Sequence, residues 1–199
     1  FQEGLCTYAL LKESDNMANI DIVFRGTEFG RVDKSAIHDI DPEGPGKQIM
    51  DKYANELINK VMEVSETVDD DKSLKISLSG HSLGGALAQL FYAKLLEAYT
   101  KDPDHTFFKR MKGSVDLILF QSPGVSPEII SSVNEMMRGI KKDGAFAKTN
   151  VISHVHSWDV VSRYGRKILT DLSPDEGCFF VSVTKNGSSD DFLSIILDR

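Results

Sequence analysis

Ser82 stands between two glycines in residues 80–84, which read G-H-S-L-G. An alternating apolar segment precedes this run, and a helix-forming segment, residues 85–91, follows it. A G-x-S-x-G run in such a strand–turn–helix setting is typical of a nucleophilic serine whose hydroxyl is exposed on a tight, strained turn. Gly80 and Gly84 suit that turn because a Cβ at either position would collide with the neighbouring strand or helix. We therefore predict that Ser82 is a catalytic nucleophile; the alternative is an ordinary glycine-rich turn.

A nucleophilic serine also needs a base, an acid that orients the base, and donors that hold the oxyanion. Asp159 is the predicted acid because it follows a predicted strand directly, whereas Asp116 lies inside a strand and Asp143 lies in a polar loop. The backbone N–H of Leu83, the residue after the serine, is the first predicted oxyanion donor. Thr27, in the loop after an earlier strand, is the second. The simpler alternatives are a turn-capping carboxylate at Asp159 and an ordinary strand end at Thr27.

In hydrolases with this serine turn the catalytic groups follow the order serine, acid, histidine. No histidine follows Asp159 here, so the sequence does not identify the catalytic histidine. All five histidines precede it, namely His38, His81, His105, His154 and His156. His154 and His156 alternate on one face of a strand, where we expect them to pack or to form hydrogen bonds rather than to bind a metal. His38 lies in a long loop and is a poor candidate for the base. We predict no metal site and no cofactor, and we expect the base to lie beyond Arg199 in a longer protein.

The bulk composition narrows the class of protein. The chain has 199 residues, 41% of them hydrophobic, and a net charge of −7. This length suits one domain, residues 1–199, with a sizeable core. The acidic balance argues against nucleic acid as the main partner, since phosphate binding needs a basic surface. The apolar runs are too short for a transmembrane segment, although contact with a membrane surface stays open. Cys6 and Cys178 read as small core residues, and the sequence does not decide whether they pair.

The hydrophobic periodicity predicts an α/β protein. An initial hairpin of strands, residues 5–11 and 20–24, is followed by a long polar loop over 25–46. Helices and strands then alternate, which predicts a mostly parallel central sheet flanked by helices. Three helices are predicted, from residue 47 to the Asp69-Asp70-Asp71 run, from the Ser82 turn to about residue 99, and over 127–138. The strands predicted between and after them cover residues 74–79, 115–120, 149–155 and 179–183. Residues 190–197 suit either a strand or a short helix.

Together the motifs resemble the class 3 lipase family of α/β-hydrolases, the group of the fungal triacylglycerol lipases. Residues 23–27, which read V-F-R-G-T, are similar to its oxyanion motif, and residues 80–88 match its serine motif without departure. Residues 120–123 resemble the motif after the next strand, with Gln121 where glycine is usual. Residues 156–161 resemble the acid segment, with Trp158 where asparagine is usual. The family's histidine follows its acid by several dozen residues.

The resemblance implies an α/β-hydrolase-like fold and a serine hydrolase of lipase or phospholipase type. Its substrates would be acylglycerols, phospholipids or other carboxylic esters, and residues 28–45 would correspond to a lid that is only sparsely apolar. Two other functions stay open. A lipase-like scaffold that binds a protein or lipid partner without hydrolysis would explain the missing histidine. A thioesterase or acyltransferase would use the same fold. Ser82 and Asp159 favour the ester hydrolase over the scaffold, which has no need of a strained, exposed serine.

Overall fold

A computed structural model describes residues 5–26, 44–140, 144–156, 162 and 165–185. Its strands are β1 (Thr7–Glu13), β2 (Met17–Phe24), β3 (Ser73–His81), β4 (Met111–Phe120), β5 (Lys148–His156) and β6 (Cys178–Lys185). Its helices are α1 (Lys47–Glu66), α2 (Leu83–Lys101), α3 (Thr106–Arg110) and α4 (Pro127–Arg138), with a short 3₁₀ helix at Pro174–Glu176. Residues 190–197 and most of the predicted loop over 25–46 lie outside the described residues.

The strands form a single sheet in the order β1-β2-β3-β4-β5-β6. β1 and β2 pair in antiparallel fashion, as the predicted hairpin requires, and every other neighbouring pair is parallel. A short turn at residues 14–16 joins the hairpin, and helices separate the parallel strands from β2 to β5 because parallel neighbours need long crossovers. The prediction of a mostly parallel central sheet flanked by helices is confirmed.

The described core lies on one face of the sheet. Alternate residues of β2 and β3 are buried there, and α2 packs on both strands as well as on β4. α1 and α4 contact α2 on this same face. The strand order never reverses, so consecutive right-handed crossovers place their helices on one side. The largest fully buried side chains here are Tyr92, Phe24, Phe91, Phe146, Ile20 and Ile22.

The other face of the sheet is half-buried to exposed. The charged side chains at the centre of this face form two ion pairs, Lys12 with Asp21 at 2.8 Å and Lys75 with Asp116 at 2.7 Å. Strand register also places on this face Tyr8, Leu10, Met17, Phe120, Phe179 and Val181, which leaves Leu11 as the one other exposed large apolar side chain in the described part of the chain. None of the described helices packs on this face.

The carboxyl ends of the central strands bring the candidate site together. His81, Phe120 and His154 are register partners at the ends of β3, β4 and β5. α2 begins at this edge, directly after Ser82.

None of the helices that the structure describes has the length and apolar character needed to cross a membrane. Cys6 and Cys178 are both free thiols, and burial raises the pKa of Cys178 to about 11.

Candidate active site

Ser82 occupies the turn between β3 and α2, where the sequence predicts it, but the residue is only 9% exposed and not the exposed serine that the motif predicts. Its backbone has φ 55° and ψ −126°, a conformation that a residue with a side chain rarely adopts. Its N–H donates a 2.9 Å hydrogen bond to Phe120 O, and its carbonyl accepts from Gly85 N, also at 2.9 Å. The turn is therefore fixed from both sides, by strand β4 and by the first turn of α2.

Gly80 and Gly84 are required by close packing at this turn. A Cβ on Gly80 would overlap Gly84 O and stand 2.7 Å from Gly85 N. A Cβ on Gly84 would overlap Phe24 O and stand 2.9 Å from the carbonyl carbon of Arg25. The obstructing atoms are backbone atoms, which cannot swing aside as a side chain can. Both glycines therefore let β3, α2 and the end of β2 approach closely, as the spacing of the motif predicts.

The structure describes one of the two predicted oxyanion donors, Leu83, which directly follows Ser82. Leu83 is the first residue of α2, where backbone N–H groups have no partner within the helix and the helix dipole favours negative charge. Thr27 lies outside the described residues, but the chain leading to it passes over the turn. A Cβ on Gly26 would overlap His81 O and stand 3.5 Å from Gly84 N. Gly26, the last described residue after β2, thus lies directly beside the start of α2.

Asp159 also lies outside the described residues, as do His38 and Asp143. The strand that precedes Asp159 is β5, and it ends at His156. Because β3, β4 and β5 are parallel and in register, the chain leaves β5 at the same edge of the sheet as Ser82.

A row of side chains beyond the predicted residues lines this edge. His81 Nε2 lies 2.8 Å from Gln121 Oε1, and the Phe120 ring stacks on the His154 ring with 4.8 Å between centroids. Burial lowers the pKa of His154. The sequence prediction that His154 packs is confirmed by this stack. The Gln121 contact was missed, because periodicity does not show which residues at the ends of two strands meet.

Gln89 is a second residue that the sequence analysis missed. Its side chain is fully buried in α2 and donates to Ser122 Oγ at 3.0 Å and to Pro123 O at 2.9 Å. Its Oε1 accepts from Ile168 N at 3.2 Å. Gln89 therefore joins the loop after β4 to the segment before β6. The signal was available, since Gln89 is a lone amide in a helix that is apolar on most faces.

No cluster of three or more histidine, cysteine or acidic side chains suited to a metal occurs within the described ranges. His105 has a structural role instead, because its Nδ1 accepts from Phe107 N at the start of α3. The site is therefore built from backbone N–H groups, a strained serine and the strand ends around it. Such an arrangement can present a hydroxyl to an electrophilic carbonyl and hold the resulting negative charge.

Comparison with known proteins agrees with this geometry. The family model described as Lipase (class 3) matches residues 22–167. A triacylglycerol lipase from Penicillium expansum has a similar fold, with a TM-score of 0.51 and 15% identity over 92% of this chain and 66% of that one. A lipase from Rhizopus microsporus var. chinensis gives a TM-score of 0.43 and 21% identity over 80% of this chain and 52% of that one.

No curated protein matches the sequence. The chain spans just under two thirds of the length of the Penicillium lipase. The likeness to the Penicillium lipase shows the fold. The family model covers the strand ends, the serine turn and the predicted acid segment together. The chain belongs to the class 3 lipase family.

Proposed function

We propose that this protein is a serine hydrolase that cleaves carboxylic esters, with Ser82 as its nucleophile. The observation that carries the proposal is the backbone of Ser82, held at φ 55° and ψ −126° between the end of β3 and the start of α2. Strain of this kind costs about 1–3 kcal/mol and persists where the surroundings over-determine it, most often at functional sites. Here the surroundings are Gly80 and Gly84, which admit no side chain.

In the proposed reaction, Ser82 Oγ attacks the ester carbonyl carbon as a histidine takes its proton. The carbonyl oxygen becomes an oxyanion, which the Leu83 N–H and Thr27 stabilise; one such donor is typically worth about 3 kcal/mol of barrier. The ester C–O bond then breaks, and the alcohol leaves with the proton from the histidine. Water, activated by the same histidine, hydrolyses the acyl-enzyme and releases the acid and free Ser82. Asp159 orients the histidine and stabilises its charged form.

The base in this proposal is a histidine from outside residues 1–199. Among the five histidines, His81 points its Nε2 to Gln121, His105 caps α3, and His154 stacks on Phe120. Each of these three rings already has a structural contact in the fold, whereas His38 and the His156 side chain lie outside what the structure describes. The proposal therefore predicts that residues 1–199 alone are far less active than the native polypeptide at full length.

The substrate class in this proposal is acylglycerols or phospholipids. The family match and the name of the Penicillium protein, a triacylglycerol lipase, support an ester with an acyl chain. Phe120, 39% exposed and in register with His81, gives this edge of the sheet an apolar side chain. Loss of one triad member typically costs on the order of 10⁴ or more in turnover. A measurement of ester hydrolysis therefore distinguishes the proposed hydrolase from a lipase-like scaffold.

The test is fluorophosphonate labelling and ester hydrolysis by the full-length polypeptide, by residues 1–199, and by full-length Ser82→Ala. Ser77→Ala is the matched control, because it makes the same change in the middle of β3. We expect labelling and hydrolysis in the full-length protein and in Ser77→Ala only. A full-length protein that neither labels nor hydrolyses acylglycerol, phospholipid and soluble esters would instead support the lipase-like scaffold. Full activity in Ser82→Ala would refute the proposed nucleophile.

A further inference from the structure

Gln121 has an unusual backbone for a residue with a long side chain. Its φ is +47°, and in the described part of the chain the only other non-glycine residues with positive φ are Ser82 and Leu169. Glycine adopts this conformation without strain, whereas other L-residues do so at a cost in free energy. Ser82 and Gln121 follow neighbouring parallel strands, β3 and β4, so two strained residues lie side by side.

The backbone and side chain of Gln121 are fixed in different directions. Its N–H donates a 2.8 Å hydrogen bond to His154 O, which ties the backbone to β5. Its half-buried side chain extends the other way, towards β3, where Oε1 accepts from His81 Nε2 at 2.8 Å. An amide oxygen is only an acceptor, so this contact requires the imidazole tautomer that has its proton on Nε2. A left-handed glycine in this place would leave His81 without the bond.

This bond closes a ring around the serine. His81 immediately precedes Ser82, and Phe120 immediately precedes Gln121. The backbone bond from Ser82 N to Phe120 O links the two pairs once, and the side-chain bond from His81 to Gln121 links them again. We propose that Gln121 is a positioning residue for Ser82 and acts through its hydrogen bond with His81.

The expected consequence is a loss of reactivity at Ser82 with little change in substrate binding. Without the side-chain bond, His81 and the strained serine have fewer restraints, and Oγ spends less time in the attacking geometry. One hydrogen bond at a half-exposed position changes rates by a modest factor. We expect the acylation rate and kcat to fall roughly three- to tenfold, with KM within about twofold, which is the size of one hydrogen bond.

The test uses the full-length polypeptide and three changes. Gln121→Leu keeps the size and removes the acceptor, Gln121→Glu keeps an acceptor oxygen, and His81→Leu removes the donor. Gln48→Leu, on the exposed side of α1, is the matched control. The readouts are the rate of fluorophosphonate acylation, kcat and KM on a soluble ester, and hydrogen exchange at the Ser82 amide. We expect Gln121→Leu and His81→Leu to give equal losses that do not add in the double variant, and Gln121→Glu to restore the rate.

The proposal rests on the proposed function of Ser82. The hydrogen-exchange measurement at the Ser82 amide does not depend on that function, because it requires no ester hydrolysis. Faster exchange at the Ser82 amide in Gln121→Leu, and not in Gln121→Glu or Gln48→Leu, supports the positioning contact even if no variant hydrolyses an ester. Unchanged exchange in Gln121→Leu overturns the proposal. Additive losses in the double variant also overturn the proposal, because they would mean that Gln121 and His81 act independently. A change in KM without a change in kcat overturns it as well, because it would mean that Gln121 contacts the substrate directly.

Discussion

The N–H of Ser82 donates to the carbonyl of Phe120 across 2.9 Å, from the strained turn to the end of the neighbouring strand. The serine is thus held by β4 as well as by its own helix, whose residues Gly85 and Ala86 donate to Ser82 O. A strained conformation persists only where such restraints outweigh its free-energy cost. The stability of the turn therefore depends on residues that take no part in the chemistry.

Gly84→Ala should destabilise the fold by about 3 kcal/mol or more, because overpacking against backbone leaves no side chain free to move away. The new methyl would overlap Phe24 O and stand 2.9 Å from the carbonyl carbon of Arg25. Gly139→Ala is the matched control, since its nearest atom would be Met136 O at 3.4 Å and its backbone is helical. That control should be neutral or stabilise by about 0.5 kcal/mol. Urea unfolding measures both, and equal midpoints would contradict the packing argument.

Gln89→Leu should destabilise the protein by about 2–3 kcal/mol, because it leaves the buried N–H of Ile168 without its acceptor. The same change removes the donor to Ser122 Oγ and Pro123 O. Gln48→Leu applies the same substitution to an exposed glutamine and should stay within about 0.5 kcal/mol of the parent. Thermal unfolding of the two variants would refute this role of Gln89 if their midpoints coincided.

The sequence predicted the elements that have a strong local signal. The hairpin, the strand before Ser82 and helix α4 are present, and Ser126 caps α4 with Pro127 as its first residue, as the sequence indicates. α3 was missed because Thr106–Arg110 is too short to show a helical period. β4 begins at Met111, four residues earlier than predicted, because Lys112, Gly113 and Ser114 interrupt the apolar alternation.

The residues of the candidate site also fall into those that a local sequence pattern reveals and those that it does not. Ser82, Gly80 and Gly84 are recognisable because one local run carries the whole turn. Gln121 and Gln89 were not, because their partners lie 40 and 79 residues away, at His81 and Ile168. A contact of that range depends on strand order and register, which single-sequence periodicity does not contain. The roles of Thr27 and Asp159 stay predictions.

Arg110 should contribute about 2–3 kcal/mol to stability, the range expected when several carbonyls lose a charged donor. Its guanidinium, at 11% side-chain exposure, donates to four backbone carbonyls at the end of α1 and in the turn that follows, those of Ser65, Val68, Asp69 and Lys72. Arg110→Lys should lose most of this energy, since an ammonium cannot reproduce the planar fork. The control is Arg138→Ala, which breaks an exposed ion pair with Glu176 and should cost less than about 1 kcal/mol. Equal losses in the free energy of unfolding of Arg110→Lys and Arg138→Ala would contradict the prediction.

His154 should make the stability depend on pH in the mildly acidic range. Burial lowers the pKa of His154 in the folded protein, so the unfolded chain binds the proton more tightly. The free energy of unfolding should therefore fall as pH drops below the ordinary histidine pKa of about 6.5 towards the lower folded value. His154→Gln should reduce this fall. Urea midpoints at about pH 8 and about pH 5 measure it, on either side of that ordinary pKa. If the difference between the two midpoints were the same in His154→Gln as in the parent protein, His154 would be excluded as the cause of the pH dependence.

Ser82→Gly should be more stable than Ser82→Ala by about 1–2 kcal/mol, because glycine adopts φ 55° and ψ −126° without the clash that a Cβ brings. Both variants lack the proposed nucleophile and should lose ester hydrolysis, so the difference isolates the backbone strain. The matched pair is Ser77→Gly and Ser77→Ala, in the middle of β3. There the order should reverse, with glycine less stable by about 0.5–1 kcal/mol, because an extended strand gives glycine no steric advantage and its unfolded state has more freedom. Urea unfolding of the four variants gives both differences. If glycine were the less stable residue at both positions, Ser82 would carry no backbone strain, and the observation on which the proposed nucleophile rests would fail.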